Sequence, residues 1–254
     1  MFNVKFSIMS YYPSVLNNEN INVGLLFHAE QENYRFFYTI DNYKRLESFD
    51  DELDIVFFKD YLKGVKESWE GCDLFCQSCA KNIESFVYNY GNELRFSNVM
   101  SANVDDIESF VNETIKMNFR FDFPNKERPS GESIKKYLKK FLKCNSIEFS
   151  SNSVKGKFEE DINYDFVVDN IGYKSFLIDN DTKIERQINN FKGWAYSAET
   201  IKAKSGLNTV FIIDTERNDE KYKLIHDVLS SAGKVLKPSD VLLSFKDKDK
   251  FCIL

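Results

Sequence analysis

The opening residues, MFNVKFSIMSYYP, alternate apolar and polar positions as a strand does. Residues 2–10 (FNVKFSIMS), 21–28 (INVGLLFH) and 34–40 (YRFFYTI) read as three such strands. Pro13 and the polar run 17–20 separate the first two, and Gln31, Glu32 and Asn33 separate the second from the third, which predicts a meander. The period then lengthens to three and four. That predicts helices over 53–69, 73–90 and 104–117, the last capped by Asn103 with Asp105 and Asp106 in its first turn.

Residues 119–131 (FRFDFPNKERPSG) hold two of the four prolines and are polar between Pro124 and Gly131, as a linker would be. Beyond them the pattern predicts an amphipathic helix over 132–143 and strands at 145–150, 153–159, 163–169 and 173–179. A long helix follows over 183–203, then a strand at 208–214, a helix over 218–232 and closing strands at 234–237 and 241–245. The expected fold class is therefore α+β in two small units. An N-terminal domain, 1–118, carries an antiparallel meander with helices; a linker covers 119–131; a C-terminal domain, 132–254, carries a mixed sheet with helices.

A chain of 254 residues that is 43% hydrophobic and 15% aromatic can bury a real core, which excludes global disorder. No apolar run approaches the roughly 18 residues needed to span a bilayer, and the opening residues lack the apolar centre of a signal peptide. A cytoplasmic protein without membrane contact is expected. Five cysteines, an odd number, argue for reduced thiols rather than a disulfide framework. The two histidines, His28 and His226, lie far apart and in no nucleophile motif, so histidine-based catalysis is not expected. Glycine-rich phosphate loops and a G-x-S-x-G elbow are missing from the sequence. Trp69 and Trp194 fall in helical patterns and read as core anchors.

Cys72, Cys76 and Cys79 have the C-x-x-x-C-x-x-C spacing of a four-iron cluster. They continue, however, into Ile83, Phe86 and Tyr90 at helical steps, so a buried helix stripe explains all three. The helix GESIKKYLKKFLK is more telling. Ile134, Tyr137, Leu138, Phe141 and Leu142 form an apolar face, with Lys135, Lys136, Lys139, Lys140 and Lys143 on the other. From Lys116 to Lys143, Arg128 included, nine basic residues stand against three acidic ones, in a chain whose formal charge is -6. Such segregation suits phosphates or an acidic partner.

The stretch YDFVVDNIGYKSFLIDNDTK reads as an acidic hairpin. With the turn at Asn170-Ile171-Gly172, Val168 and Lys174 lie near each other. Asp165, Val167 and Asp169 then share a face that Leu177 and Asp179 join. Two carboxylates, Asp165 and Asp179, with Lys174 or Lys183 nearby, are what a Mg²⁺- or Mn²⁺-dependent phosphodiesterase uses. This loosely resembles a degenerate restriction-endonuclease-like fold; where that pattern has its lysine two positions past the second carboxylate, Asp181 stands here.

Tyr11-Tyr12-Pro13, then Asn20-Ile21-Asn22-Val23-Gly24-Leu25-Leu26-Phe27, with Arg45-Leu46 and the helix from Leu53 after them, resemble the bacterial family named domain of unknown function 3037. Leu25 replaces the family's usual valine. In the strand itself Gly24 permits a bulge or a close approach, and Asn22 can bond the neighbouring backbone. The resemblance brings no catalytic residues, and it implies a protein partner such as a kinase of the HipA type. The stretch from Phe166 through Trp194-Ala195-Tyr196 to Ser239 is similar to a second uncharacterised family of mobile elements and phages. The expectation that follows is a non-enzymatic bacterial or phage binding protein in phage defence, counter-defence (anti-CRISPR proteins included) or a toxin-like operon. Its binding residues are Lys135, Lys136, Lys139, Lys140, Lys143 and Arg128, it needs no cofactor, and its partner is a protein, a kinase or defence component, or nucleic acid. The alternative is a metal-dependent nuclease using Asp165, Asp179, Lys174 and Lys183 on DNA or RNA.

Overall fold

The computed structural model describes residues 1–14, 19–71, 82–150, 153–176, 184–213 and 220–245. The chain forms two compact units, Met1–Arg128 and Pro129–Leu254, both mixing helices and strands.

In the N-terminal unit the alternating segments become β1 (Phe2–Tyr11), β2 (Ile21–Ala29) and β3 (Tyr34–Thr39), an antiparallel meander as the pattern predicts. Two strands that the sequence pattern did not reveal complete the sheet. They are β4 (Leu94–Phe96) and β5 (Met100–Val104), both antiparallel to β1 on its other side. Asn103 is therefore a strand residue. The helix after it, α4 (Ile107–Asn118), is capped by Asp106, whose carboxylate accepts from the backbone N–H groups of Glu108 and Ser109. Before it come α1 (Lys44–Phe49), α2 (Ile55–Glu70) and α3 (Ile83–Tyr88). Cys72, Cys76 and Cys79 lie outside the described residues.

The helix α2 shows why these elements pack. Asp54 caps it, and Phe58, Leu62, Val65 and Trp69 recur at helical steps along its buried face. Trp69 is fully buried and its indole N–H donates to the carbonyl of Phe27, 3.1 Å away. Residues of the family-like motifs find structural work. Tyr11 donates to Asp50 at 2.6 Å, and Leu46 is fully buried. At Gly24 any Cβ would fall 2.5 Å from the Phe37 ring, so glycine admits that ring, and the register of β1 against β2 shifts beside it. Asn22 bonds a side chain rather than backbone, accepting from the Ser10 hydroxyl at 3.0 Å. Residues of the segment read as a linker fold onto this unit. Phe119 is buried against Tyr38, and Asp122 accepts from the Tyr38 hydroxyl at 2.8 Å.

His28 is buried edge-on to Trp69. Burial, with the Arg35 cation opposite it in the sheet, holds its pKa below the ordinary histidine value. A depressed folded pKa means that this stability is present above about pH 6.5 and lost as pH falls below it. We expect urea unfolding to show an acid limb of at most about 1.4 kcal/mol per pH unit from this group, absent in His28→Phe. An identical limb in the variant would refute that assignment.

The C-terminal unit opens with α5 (Gly131–Cys144), capped by Ser130. A small hairpin, β6 (Ser153–Lys155) with β7 (Asp161–Asn163), precedes a four-stranded mixed sheet. Its strands are β8 (Phe166–Val168), β9 (Ile171–Phe176), β10 (Asn208–Ile213) and β11 (Lys234–Leu236), in the order β11-β10-β9-β8. The edge strand β8 is antiparallel to β9; β9, β10 and β11 are parallel, joined by α6 (Ile184–Ser205) and α7 (Glu220–Ser230). Phe191, Ala198, Phe211, Ile213, Ile225 and Leu229 form the core beneath those two helices. The stretch expected as a closing strand at 241–245 belongs instead to α8 (Pro238–Ser244) and its cap. Pro238 sits in the first helical turn, where its missing N–H costs nothing, and Val241, Leu242 and Phe245 are buried at helical spacing.

Candidate functional site

One turn sets the geometry of the site. The sequence pattern placed the β8–β9 turn at residues 170–172; the chain turns at Asp169 and Asn170, both with positive φ, 46° and 63°. A two-residue hairpin turn of primed type needs that conformation, and Asp and Asn tolerate it. Val168 then pairs with Ile171, Val167 with Gly172 and Phe166 with Tyr173. Lys174 thus falls opposite Asp165 rather than near Val168, and Asp169 lies in the turn rather than on a shared face with Asp165. Gly172, which suggested the turn, serves packing: a Cβ there would sit 2.6 Å from the Tyr164 ring.

Asp165 is buried, and donors surround its carboxylate. The Ser175 backbone N–H and hydroxyl donate to Oδ2 at 2.7 and 2.6 Å. The ammonium groups of Lys135 and Lys174 approach Oδ1 at 3.2 and 3.6 Å. A carboxylate offers about four acceptor positions; Ser175 fills two and Lys135 approaches a third, while Lys174 adds its charge from beyond hydrogen-bond distance. Lys135 reaches in from α5 and also bonds Glu132 at 3.0 Å. It does not stand on the solvated lysine face. At about 100° per residue it falls next to Leu142, on the margin of the buried stripe. Burial opposes its charge, but the bonds and charges of Glu132 and Asp165 outweigh that and raise its pKa. For Lys174 burial wins and lowers the pKa, against the pull of Asp165.

Lys174 also donates to the carbonyl of Asn163 at 3.1 Å and lies 4.5 Å above the Trp194 ring. Trp194 packs on the core as the sequence pattern suggested, yet it is only half-buried and lines a cleft of about 480 Å³ between β7 and α6. Asn163, Asn189, Asn190, Gly193 and Ser197 share that lining. None of them stands out in the sequence, because amides and a lone glycine in a helical pattern carry no motif.

On α5 itself Lys136, Lys140 and Lys143 are exposed and Lys139 is half-buried. Among the described residues Lys136, Lys139 and Lys143 form no ion pair. Arg128 belongs to the N-terminal unit, where its Nε donates to the Phe123 carbonyl at 2.9 Å and its guanidinium covers Phe121. Asp179 and Lys183 lie outside the described residues. No three His, Cys, Asp or Glu side chains among the described residues gather as a metal site.

An α+β chain of two units, with a lysine-rich helix face and a neutral cleft in the second, is the class that fold and site define. The family model for "Protein of unknown function (DUF3037)" matches residues 6–114, so the resemblance of the N-terminal part to that domain holds from β1 into α4. The match stops short of the C-terminal unit. No curated protein and no solved structure matches the chain.

Proposed function

We propose that the chain is a non-enzymatic nucleic-acid-binding protein whose C-terminal unit holds phosphates on the exposed lysines of α5. The observation that carries this reading is the helix itself. Its apolar face is buried, while Lys136, Lys139, Lys140 and Lys143 crowd the opposite side of an otherwise acidic chain. Such a local positive field is a footprint for polyanions. Lys, Asn, Phe and Tyr usage typical of AT-rich genomes supports a bacterial or phage setting, in which defence, counter-defence and toxin-like operons offer such partners.

A gel assay with duplex DNA, single-stranded DNA and RNA, each with Mg²⁺, Mn²⁺ or EDTA, tests the reading. The expected result is a salt-sensitive shift without cleavage. Lys136→Glu/Lys143→Glu should bind about tenfold more weakly or worse, since each lost phosphate contact also removes counterion release. Unchanged binding by the double variant would sink the proposal, and silence in every lane would leave a protein partner.

One observation favours a second reading, a metal-dependent nuclease: Asp165 and Lys174 face each other on an antiparallel pair followed by a helical crossover to a parallel strand. Against it stands the donor set. Asp165 already accepts from Ser175 and pairs with Lys135 and Lys174, and a metal would have to displace them. Cleavage abolished by EDTA would establish this reading over the first.

A further inference from the structure

We propose that the cleft between β7 and α6 receives an unstacked nucleobase of a single strand whose phosphates lie on α5, an inference that rests on the reading of the α5 lysines given above. The two places meet at one atom. Lys135 of α5 and Lys174 of the cleft wall both approach Oδ1 of Asp165, at 3.2 and 3.6 Å. Lys143, Lys139 and Lys135 follow one another at four-residue steps, so they form a row along α5 that ends at this carboxylate.

Charge distinguishes the cleft from the row. Its cation, Lys174, is matched by Asp165; its anion, Asp161, is matched by Lys155 at 2.9 Å. A pocket with balanced charges selects a neutral polar group, not another phosphate. Its remaining lining suits a flat heterocycle. Lys174 has three N–H donors; it donates to the Asn163 carbonyl, and its ammonium, on the cleft wall, can also meet a ring carbonyl. Asn189 and Asn190 make no hydrogen bond to the described residues, and their amides can pair with the edge of a base. Lys174 lies over one face of Trp194, and the indole surface that the ring still gives to the cleft is of the kind that sequence-tolerant recognition of single strands uses. The volume, about 480 Å³, is within the usual range for small-molecule pockets.

Gly193 points the same way. A glycine inside a helix is destabilising relative to alanine. Here nothing lies within 4 Å of the place its Cβ would take. The wall of the cleft is therefore open at this position. The same open space supplies the test. Leucine at 193 favours the helix, meets no neighbour at its Cβ and fills the cleft. Removing Trp194 would instead disturb Tyr164 and Phe176, which pack on its ring.

The experiment titrates the full chain with a short oligothymidylate strand and with an abasic strand of equal length, following tryptophan fluorescence and strand anisotropy. Of the two tryptophans, Trp69 is fully buried, so quenching reports Trp194. The expected result is quenching by oligothymidylate alone and binding about tenfold tighter than the abasic strand. Gly193→Leu should lose both effects while still binding the abasic strand. Equal binding of the two strands without quenching would overturn the cleft and leave the α5 reading intact. Quenching undiminished in Gly193→Leu would overturn the location. Failure of both strands to bind would overturn the α5 reading and the cleft with it.

Discussion

Replacing Asp165 with alanine is expected to lower the stability of the chain by about 3–5 kcal/mol, the usual result of removing one partner from a buried ion pair. The arrangement explains the size. The variant would leave Lys135 and Lys174 as neighbouring cations without their shared anion, and the Ser175 N–H without its acceptor. Urea unfolding of the two proteins measures the difference. A second variant, Lys174→Met, removes one of those stranded cations. In the double variant the losses should be less than additive by about 0.5–3 kcal/mol. A loss below about 1 kcal/mol in Asp165→Ala would show that water or relaxation replaces these contacts. The same argument bears on catalysis. Since alanine at 165 weakens the fold, an activity lost with it would say little about chemistry, and EDTA is the cleaner probe of a metal-dependent reading.

Alkaline unfolding is the second large effect. Burial pushes the Tyr173 and Tyr90 hydroxyls up to about 12. Tyr11 and Tyr38 are raised further, first by burial and then by their bonds to Asp50 and Asp122. A raised folded pKa gives stability that is complete below about pH 10 and lost as pH rises through the folded value. For Tyr173 alone, 2% exposed, the loss by pH 12 is about 2 kcal/mol. Lys174 runs the other way. Burial lowers its pKa, so the folded chain sheds that proton first, which offsets part of the loss. Domains are stable by only about 5–15 kcal/mol, so a cooperative loss of circular dichroism is expected between pH 10 and 12, together with the tyrosinate absorbance. Ionisation of all 13 tyrosines near pH 10 while the dichroism persists would contradict it.

The fold was readable where the pattern was long. The first two strands of the meander run to ten and nine residues rich in apolar positions, and turn residues mark their ends. β4 and β5 escaped because three and five residues give periodicity little room, although Met100, Ala102 and Val104 do alternate as buried positions. The run VLLSF fits a strand or a helix equally well, and only Pro238 before it separates the two.

The site was half legible. Asp165 and Lys174 stood out by their chemistry, and α5 by its two faces. Their meeting depends on where a turn falls, and the sequence offers two places for it, Gly172 and the Asp169-Asn170 pair. A glycine chosen for the Tyr164 ring looked like a glycine chosen for a turn. Lys135 was grouped with the solvated lysines because residue type, not position on the helix, decided its face. The cleft could not be read at all, since it joins residues from a short hairpin and a helix that no motif links.

The most direct test of phosphate binding by α5 is the slope of log binding constant against log salt for a single strand. With four lysines engaged, each contributing about −0.7, the slope should be near −3 and fall to about half in Lys136→Glu/Lys143→Glu. A slope near zero, or one the double variant leaves unchanged, would contradict the account.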